Sequence, residues 1–139
     1  MYQLVYVSTA TTRFDSEQLA SLLEVARRNN SAAGVSGMLL HHEGNFFQVL
    51  EGHEDAVQGV FRRVEQDPRH EAVTVIHEEE VDERAFGDWS MAWCEVRDRA
   101  LRELPGFSDL MIRRNPRDAF GADPQTVHNM VLTFREYAR

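Results

Sequence analysis

Nine residues, Gly44-Asn45-Phe46-Phe47-Gln48-Val49-Leu50-Glu51-Gly52, carry the clearest architectural signal in the chain. In an extended strand Phe46 and Leu50 share the face of Gln48, while Phe47 and Val49 point the other way. A strand apolar on both faces belongs in the middle of a sheet, covered above and below. Its uncharged amide is therefore the odd residue, because a buried amide costs stability unless something hydrogen-bonds it. Two readings of Gln48 follow: a core amide satisfied by a neighbouring tyrosine or backbone group, or an amide facing a bound ligand.

On the N-terminal side, Val35 to His41 reads as a strand, and Glu43-Gly44 as a two-residue hairpin turn leading into the Gln48 strand. Tyr2 to Ser8 is a first strand with Leu4, Tyr6 and Ser8 on one face. A helix follows the loop Thr9 to Arg13. Asp15 suits its N-cap, Gln18 the capping-box position, and Phe14 can staple onto Leu19. Leu19, Leu22, Leu23 and Ala26 keep helical spacing, which predicts a helix to about Arg28, ended by Asn29, Asn30 and the Ser31–Gly34 segment. On the C-terminal side, a second helix opens at Gly52-His53-Glu54-Asp55 and carries Val57, Val60, Phe61 and Val64 as its stripe, with Asp67-Pro68 as its stop.

Val73 to Ile76 predicts a fourth strand, Glu78 to Asp88 an acidic, solvated connection, and Trp89 to Val96 a fifth strand. The expected fold is an α+β, ferredoxin-like βαββαββ sandwich: a mixed five-stranded sheet with two helices on one face. The expected division places this unit at residues 1–97. Residues 98–139 form a C-terminal helical extension, with a short helix near Arg99 to Leu104 and a final amphipathic helix after Asp123-Pro124. The stripe Val127, Met130, Val131 and Phe134 of that helix must bury against the outer sheet face or another subunit.

Composition narrows the function. A formal charge of −8 and a pI near 5.2 argue against nucleic-acid binding. Every basic residue is arginine. The single cysteine, Cys94, excludes an internal disulfide and fits a reducing compartment. No apolar run is long enough to span a bilayer, and the N-terminal residues lack the pattern of a signal peptide, so a cytoplasmic protein is expected. The histidines show no metal-ligand spacing and are expected at the surface, and Cys94 has no neighbouring base. Val57-Gln58-Gly59-Val60-Phe61-Arg62 is similar to part of the acylphosphatase phosphate loop. However, it lies inside the second helix rather than before the first, where backbone amides could cradle a phosphate.

Tyr6 and Gln48 project from adjacent central strands toward the helices, Asn30 closes the first helix nearby, and Arg63 and Asp67 continue the second helix. A slot with a phenol, two amides and an arginine, rimmed by Leu22, Phe46 and Val64, suits a flat heteroaromatic ring with a phosphate tail. The alternative is an ordinary core with a few buried polar pairs.

At these residues the chain resembles the BLUF family, the blue-light sensors that use flavin adenine dinucleotide. The resemblance covers about Met1 to Val96. It runs through Tyr6-Val7-Ser8, Arg27-Arg28-Asn29-Asn30, Gly34-Val35-Ser36-Gly37, Phe46 to Gly52, Asp67-Pro68-Arg69-His70 and Trp89-Ser90-Met91, all in matching order. It implies a non-enzymatic photoreceptor binding FAD non-covalently. Tyr6 would be the electron donor, Gln48 the switching amide, and Asn30 the holder of the flavin carbonyl edge. Trp89 and Met91 would be the sensing pair on the last strand, with Trp93 expected on their face. Asn29, Arg63, Asp67 and His70 match positions that line the cofactor less uniformly. Signalling is expected to pass through the last strand and tail to a homo-oligomer, a dimer or larger, or to a downstream protein. The other readings are an acylphosphatase-like hydrolase and a ferredoxin-like small-molecule-binding module without light chemistry.

Overall fold

The computed structural model of the 139-residue chain describes residues 1–95, 102–105, 107, 111 and 123–137. Five strands form one sheet in the order β4-β1-β3-β2-β5. They are β1 (Tyr2–Ala10), β2 (Ser36–His42), β3 (Asn45–Gly52), β4 (His70–Glu80) and β5 (Ala92–Glu95). β1 pairs antiparallel with β3 and β4, β2 pairs antiparallel with β3, and β5 runs parallel to β2. The doubly apolar strand β3 is central, and all its residues are buried.

Helices α1 (Ser16–Ala33) and α2 (Glu54–Gln66) cover one face. Leu22, Val57, Val60 and Phe61 meet Leu4, Tyr6, Leu39, Phe46 and Leu50 there. Helix α3 (Pro124–Tyr137) covers the outer face: its whole stripe, Val127, Met130, Val131 and Phe134, is buried against Val5, Met38, Leu40, Phe47 and Val49. The rings of Phe134 and Phe47 meet edge to face at 5.2 Å. The sheet therefore buries this stripe without a second subunit. Among the described residues no helix is long and apolar enough to cross a membrane.

Local rules hold at several joints. Asp15 accepts from the Gln18 amide at 2.8 Å and Gln18 Oε1 accepts from the Asp15 amide at 3.0 Å, a full capping box. Glu43 and Gly44 both adopt positive φ, 48° and 84°, as a tight hairpin turn requires.

Other expectations need correction. Helix α1 does not end at Asn29 and Asn30 but continues to Ala33, because left-handed Gly34 (φ 71°) supplies the cap by donating to the Asn30 and Ser31 carbonyls. β4 is longer than Val73–Ile76, since pairing with β1 extends it to both sides, with register shifts and a left-handed Ala72 (φ 51°). The connection after Glu80 is not wholly solvated: Phe86 is fully buried. The reason is Glu51, a buried carboxylate that needs donors and takes the Ala85 and Phe86 amides, each at 2.8 Å, and Gln3 Nε2 at 3.0 Å. β5 begins at Ala92 rather than Trp89 and is described as far as Glu95, while Val96 lies outside the described residues. The predicted helix near Arg99 to Leu104 and the Pro, Arg and Asp-rich turn lie largely outside the described residues.

Four histidines, His41, His42, His70 and His77, are partly buried rather than surface groups. His41 and His70 both pack on Phe46, with ring centroids 5.0 Å away in each case. His70 Nδ1 lies 3.0 Å from Ser8 Oγ. Burial holds both imidazoles below their ordinary pKa of 6.5.

Two expectations follow for stability. Phe134→Ala removes a fully buried ring and should destabilise the chain by about 3–5 kcal/mol in urea unfolding; a loss below about 1 kcal/mol would mean that α3 does not dock on the sheet. Acid should also weaken the fold. Below about pH 6.5 the unfolded chain binds more protons at His41 and His70 than the folded one, so stability is complete above that pH and falls as pH drops through the lowered pKa values of the two buried rings. Replacing both histidines by glutamine should flatten the urea midpoint across that window, and an equally steep fall in the double variant would assign it to other groups.

Candidate functional site

The register of β1 and β3 places Tyr6 directly opposite Gln48 on the helix-covered face. Tyr6 is fully buried, its ring 5.3 Å from that of Phe61. Its hydroxyl is also buried and has no hydrogen-bond partner among the described residues. Burial, and then the negative charge of Asp67, push its pKa well above the ordinary tyrosine value, so the phenol keeps its proton. Gln48 is 6% exposed, and its Nε2 lies 3.7 Å from Met91 Sδ. A thioether is a weak acceptor, so this amide is loosely held.

Between α1 and α2 opens a cleft of about 90 Å³. Leu22, Asn29 and Asn30 of α1, Arg63 and Val64 of α2, and Asp67, His70 and Gln48 all line it. Tyr6, Phe46 and Met91 do not line it but belong to the apolar cluster of the same face. Asn30, 1% exposed, donates from Nδ2 to the Ser90 carbonyl at 2.8 Å, which leaves its second N–H and its oxygen for other partners. At the rim, Arg69 grips Asp67 through Nε and Nη2 at 2.6–3.1 Å. That hydrogen bonding holds the Asp67 carboxyl below its usual range and raises the Arg69 guanidinium.

One predicted grouping fails. Trp89 and Met91 do not share a face: Trp89 packs with the outer cluster, whereas Met91 and Trp93 belong to the helix side. Strand pairing begins only at Ala92 opposite Met38, so the alternation assumed from Trp89 onward does not apply to residues 89–91.

Sequence reasoning also missed parts of the lining. Val25, Ala26, Leu39, Val60 and Arg69 complete it. Ala26 and Val60 stood in the helical stripes, and Arg69 lies two residues from Asp67, but nothing in their spacing separates a cleft wall from a core contact. The acylphosphatase-like hexapeptide, Val57 to Arg62, lies in the body of α2, where its amides face along the helix rather than into a phosphate cradle.

The chain and its fold have close counterparts. The profile of the BLUF family, described as sensors of blue-light using FAD, matches residues 1–92. A photoactivated adenylate cyclase subunit beta of Euglena gracilis is 34% identical over 109 residues, which cover 78% of this chain and 12% of that protein. The blue light- and temperature-regulated antirepressor BluF of Escherichia coli is 31% identical over 94 residues, or 68% of this chain and 23% of that one. This chain thus spans only a small part of the length of these relatives. Among solved structures, the photo-activated state of BlsA superimposes with a TM-score of 0.81 at 24% identity, covering 96% of this chain and 94% of that one. The dark-state structure of BlrB, a BLUF protein, gives 0.72 at 25% identity with 95% of each chain covered. With its helix-walled cleft, its in-register Tyr6 and Gln48, and a family profile matched from the first residue to β5, the chain belongs to the BLUF family of blue-light flavin sensors.

Proposed function

We propose that the chain binds FAD non-covalently in the α1–α2 cleft and converts absorbed blue light into a rearranged hydrogen-bond pattern at Gln48. The observation that carries this reading is the buried hydroxyl of Tyr6, unpartnered among the described residues, opposite a glutamine amide whose side-chain contact among them is a thioether. A buried polar group without a partner is rare in a folded protein and points to a group that completes it. The donor set suits a flavin: Asn30 and Gln48 offer amides to an imide-like edge, and Leu22, Val60 and Val64 offer apolar walls to the ring. Arg63, at the exposed mouth, offers a cation to phosphate.

Bound there, the flavin supplies the light absorption and the oxidising power of its excited state. The residues supply the rest. Because burial keeps Tyr6 neutral, an electron given up to the excited flavin would be accompanied or followed by its Oη proton, since an oxidised phenol is a strong acid. Gln48 carries a donor and an acceptor on nearly isosteric ends, so a turn of its amide, or tautomerisation, reverses its bonds without changing its shape. Glutamate could not do this. The outcome is a stored arrangement rather than a released product, so the chain acts as a switch and not as an enzyme. We further propose that its output reaches another copy or a separate protein partner. Since the α3 stripe is already buried, a second copy would have to meet other residues. Leu132 and Tyr137, 44% and 38% exposed, are the large apolar groups that α3 still presents.

Tyr6→Phe and Gln48→Leu should each abolish the reversible red shift of the flavin spectrum under blue light while flavin still binds. A normal shift in either variant would remove that residue from its role. Arg63→Ala should weaken FAD roughly tenfold, as loss of one exposed phosphate contact would, and leave riboflavin nearly unchanged. Titrating both ligands separates the cases, because equal losses would take Arg63 off the phosphate.

A further inference from the structure

Three consecutive carbonyls are held from three directions. The Gly37 amide of β2 donates to Trp89 O at 3.2 Å, Asn30 Nδ2 to Ser90 O at 2.8 Å, and Arg27 Nε to Met91 O at 2.9 Å. The segment so fixed runs from the outer cluster, where Trp89 packs, to the helix face, where Met91 meets Gln48. Two of the three donors also serve elsewhere, since the Gly37 amide belongs to β2 and Asn30 lines the cleft. Arg27 does not line the cleft, yet it binds the carbonyl of the residue that Gln48 touches.

Arginine suits this contact. Its Nε–H sits in a rigid planar fork that is charged at every accessible pH, and charge-assisted bonds to oxygen are short and strong. Methionine needs such help, since three rotatable bonds let its sulfur wander unless the backbone beneath it is fixed.

We propose that Arg27 is a positioning residue of the photocycle, holding the Met91 carbonyl so that the thioether stays within reach of Gln48, and that it thereby sets the lifetime of the light-adapted state. The inference rests on the flavin photoreceptor reading of the same cleft. With the latch intact, the Gln48 amide turns against a fixed neighbour. With it released, the thioether follows the amide, the barrier to return falls, and dark recovery quickens.

The test uses the full chain as wild type, Arg27→Gln and Arg27→Lys, each with and without FAD. Arg27→Gln should bind FAD within about threefold of wild type and keep the red shift, because no cleft wall is lost. Its dark recovery should be about tenfold faster, the scale of one lost charged hydrogen bond. Arg27→Lys, which keeps the charge without the fork, should recover at an intermediate rate; it also serves if the glutamine variant does not fold. The second readout is the methyl resonance of Met91 in flavin-free protein, assigned by its loss in Met91→Leu. It should move toward the position of a mobile methionine in Arg27→Gln. Unchanged recovery with an unchanged Met91 resonance would overturn the latch, and a more than tenfold loss of FAD affinity would make Arg27 a cofactor ligand instead. Should wild type bind flavin and show no red shift, the photocycle role falls with the photoreceptor reading, while the Met91 resonance still reports whether Arg27 holds that residue.

Discussion

Strand β3 has no solvent face, and this constraint organises the molecule. A strand buried on both sides needs a layer on each, and α1 with α2 supply one while α3 and residues around Phe86 and Phe107 supply the other. It also needs a partner for every polar side chain it carries. Three of these are Asn45, Gln48 and Glu51. Asn45 Nδ2 donates to the Met111 carbonyl, and Glu51 gathers the amides of Ala85 and Phe86 together with the Gln3 side chain. Both contacts tie outer-face segments to the ends of the strand. Gln48, between them, has a weakly accepting sulfur at 3.7 Å. The strand is thus firmly held at its ends and loosely held at its middle, where the proposed switch needs a side chain that can turn.

The two faces then divide the work. On the helix side, Tyr6 and Gln48 stand opposite each other, the phenol kept protonated by the apolar surroundings that also exclude water. On the outer side, Phe47 and Val49 of the same strand meet Phe134 and its neighbours on α3. A change at Gln48 is therefore one residue away from the packing of the C-terminal helix, because alternate residues of β3 face opposite layers. The segment Trp89 to Met91 offers a second connection between the same two layers.

Much of this was legible because it is local or periodic. Phe46 to Leu50 showed the central strand, Asp15 and Gln18 the start of α1, Glu43-Gly44 the hairpin, and Val127 to Phe134 the buried stripe of α3. What could not be read depends on partners distant in sequence. The ends of β4 are set by β1, 60 to 78 residues earlier in the chain, and the burial of Phe86 by a carboxylate at Glu51. The end of α1 turned on one left-handed glycine that outweighs the weak helix propensity of Asn29 and Asn30. The face of Trp89 was misjudged because alternation starts only where pairing starts, at Ala92. The polar members of the cleft stood out by their chemistry. Its apolar members did not, since a valine facing a ligand and a valine facing a core look alike in sequence.

The sheet has two edges, and they differ in how each would meet a stranger. β4 carries Glu78, Glu79 and Glu80 in succession, and its pairing with β1 is interrupted by register shifts at Ile76 and near Ala72. On the other side, the described part of β5 is Ala92–Glu95. The bent, negatively charged ribbon of β4 is a poor template for an incoming extended peptide, which needs a flat row of free amides and carbonyls. At that edge a protein meeting this molecule would have to grip side chains rather than zip onto the backbone. The same geometry discourages the β4 edges of two copies from pairing with each other.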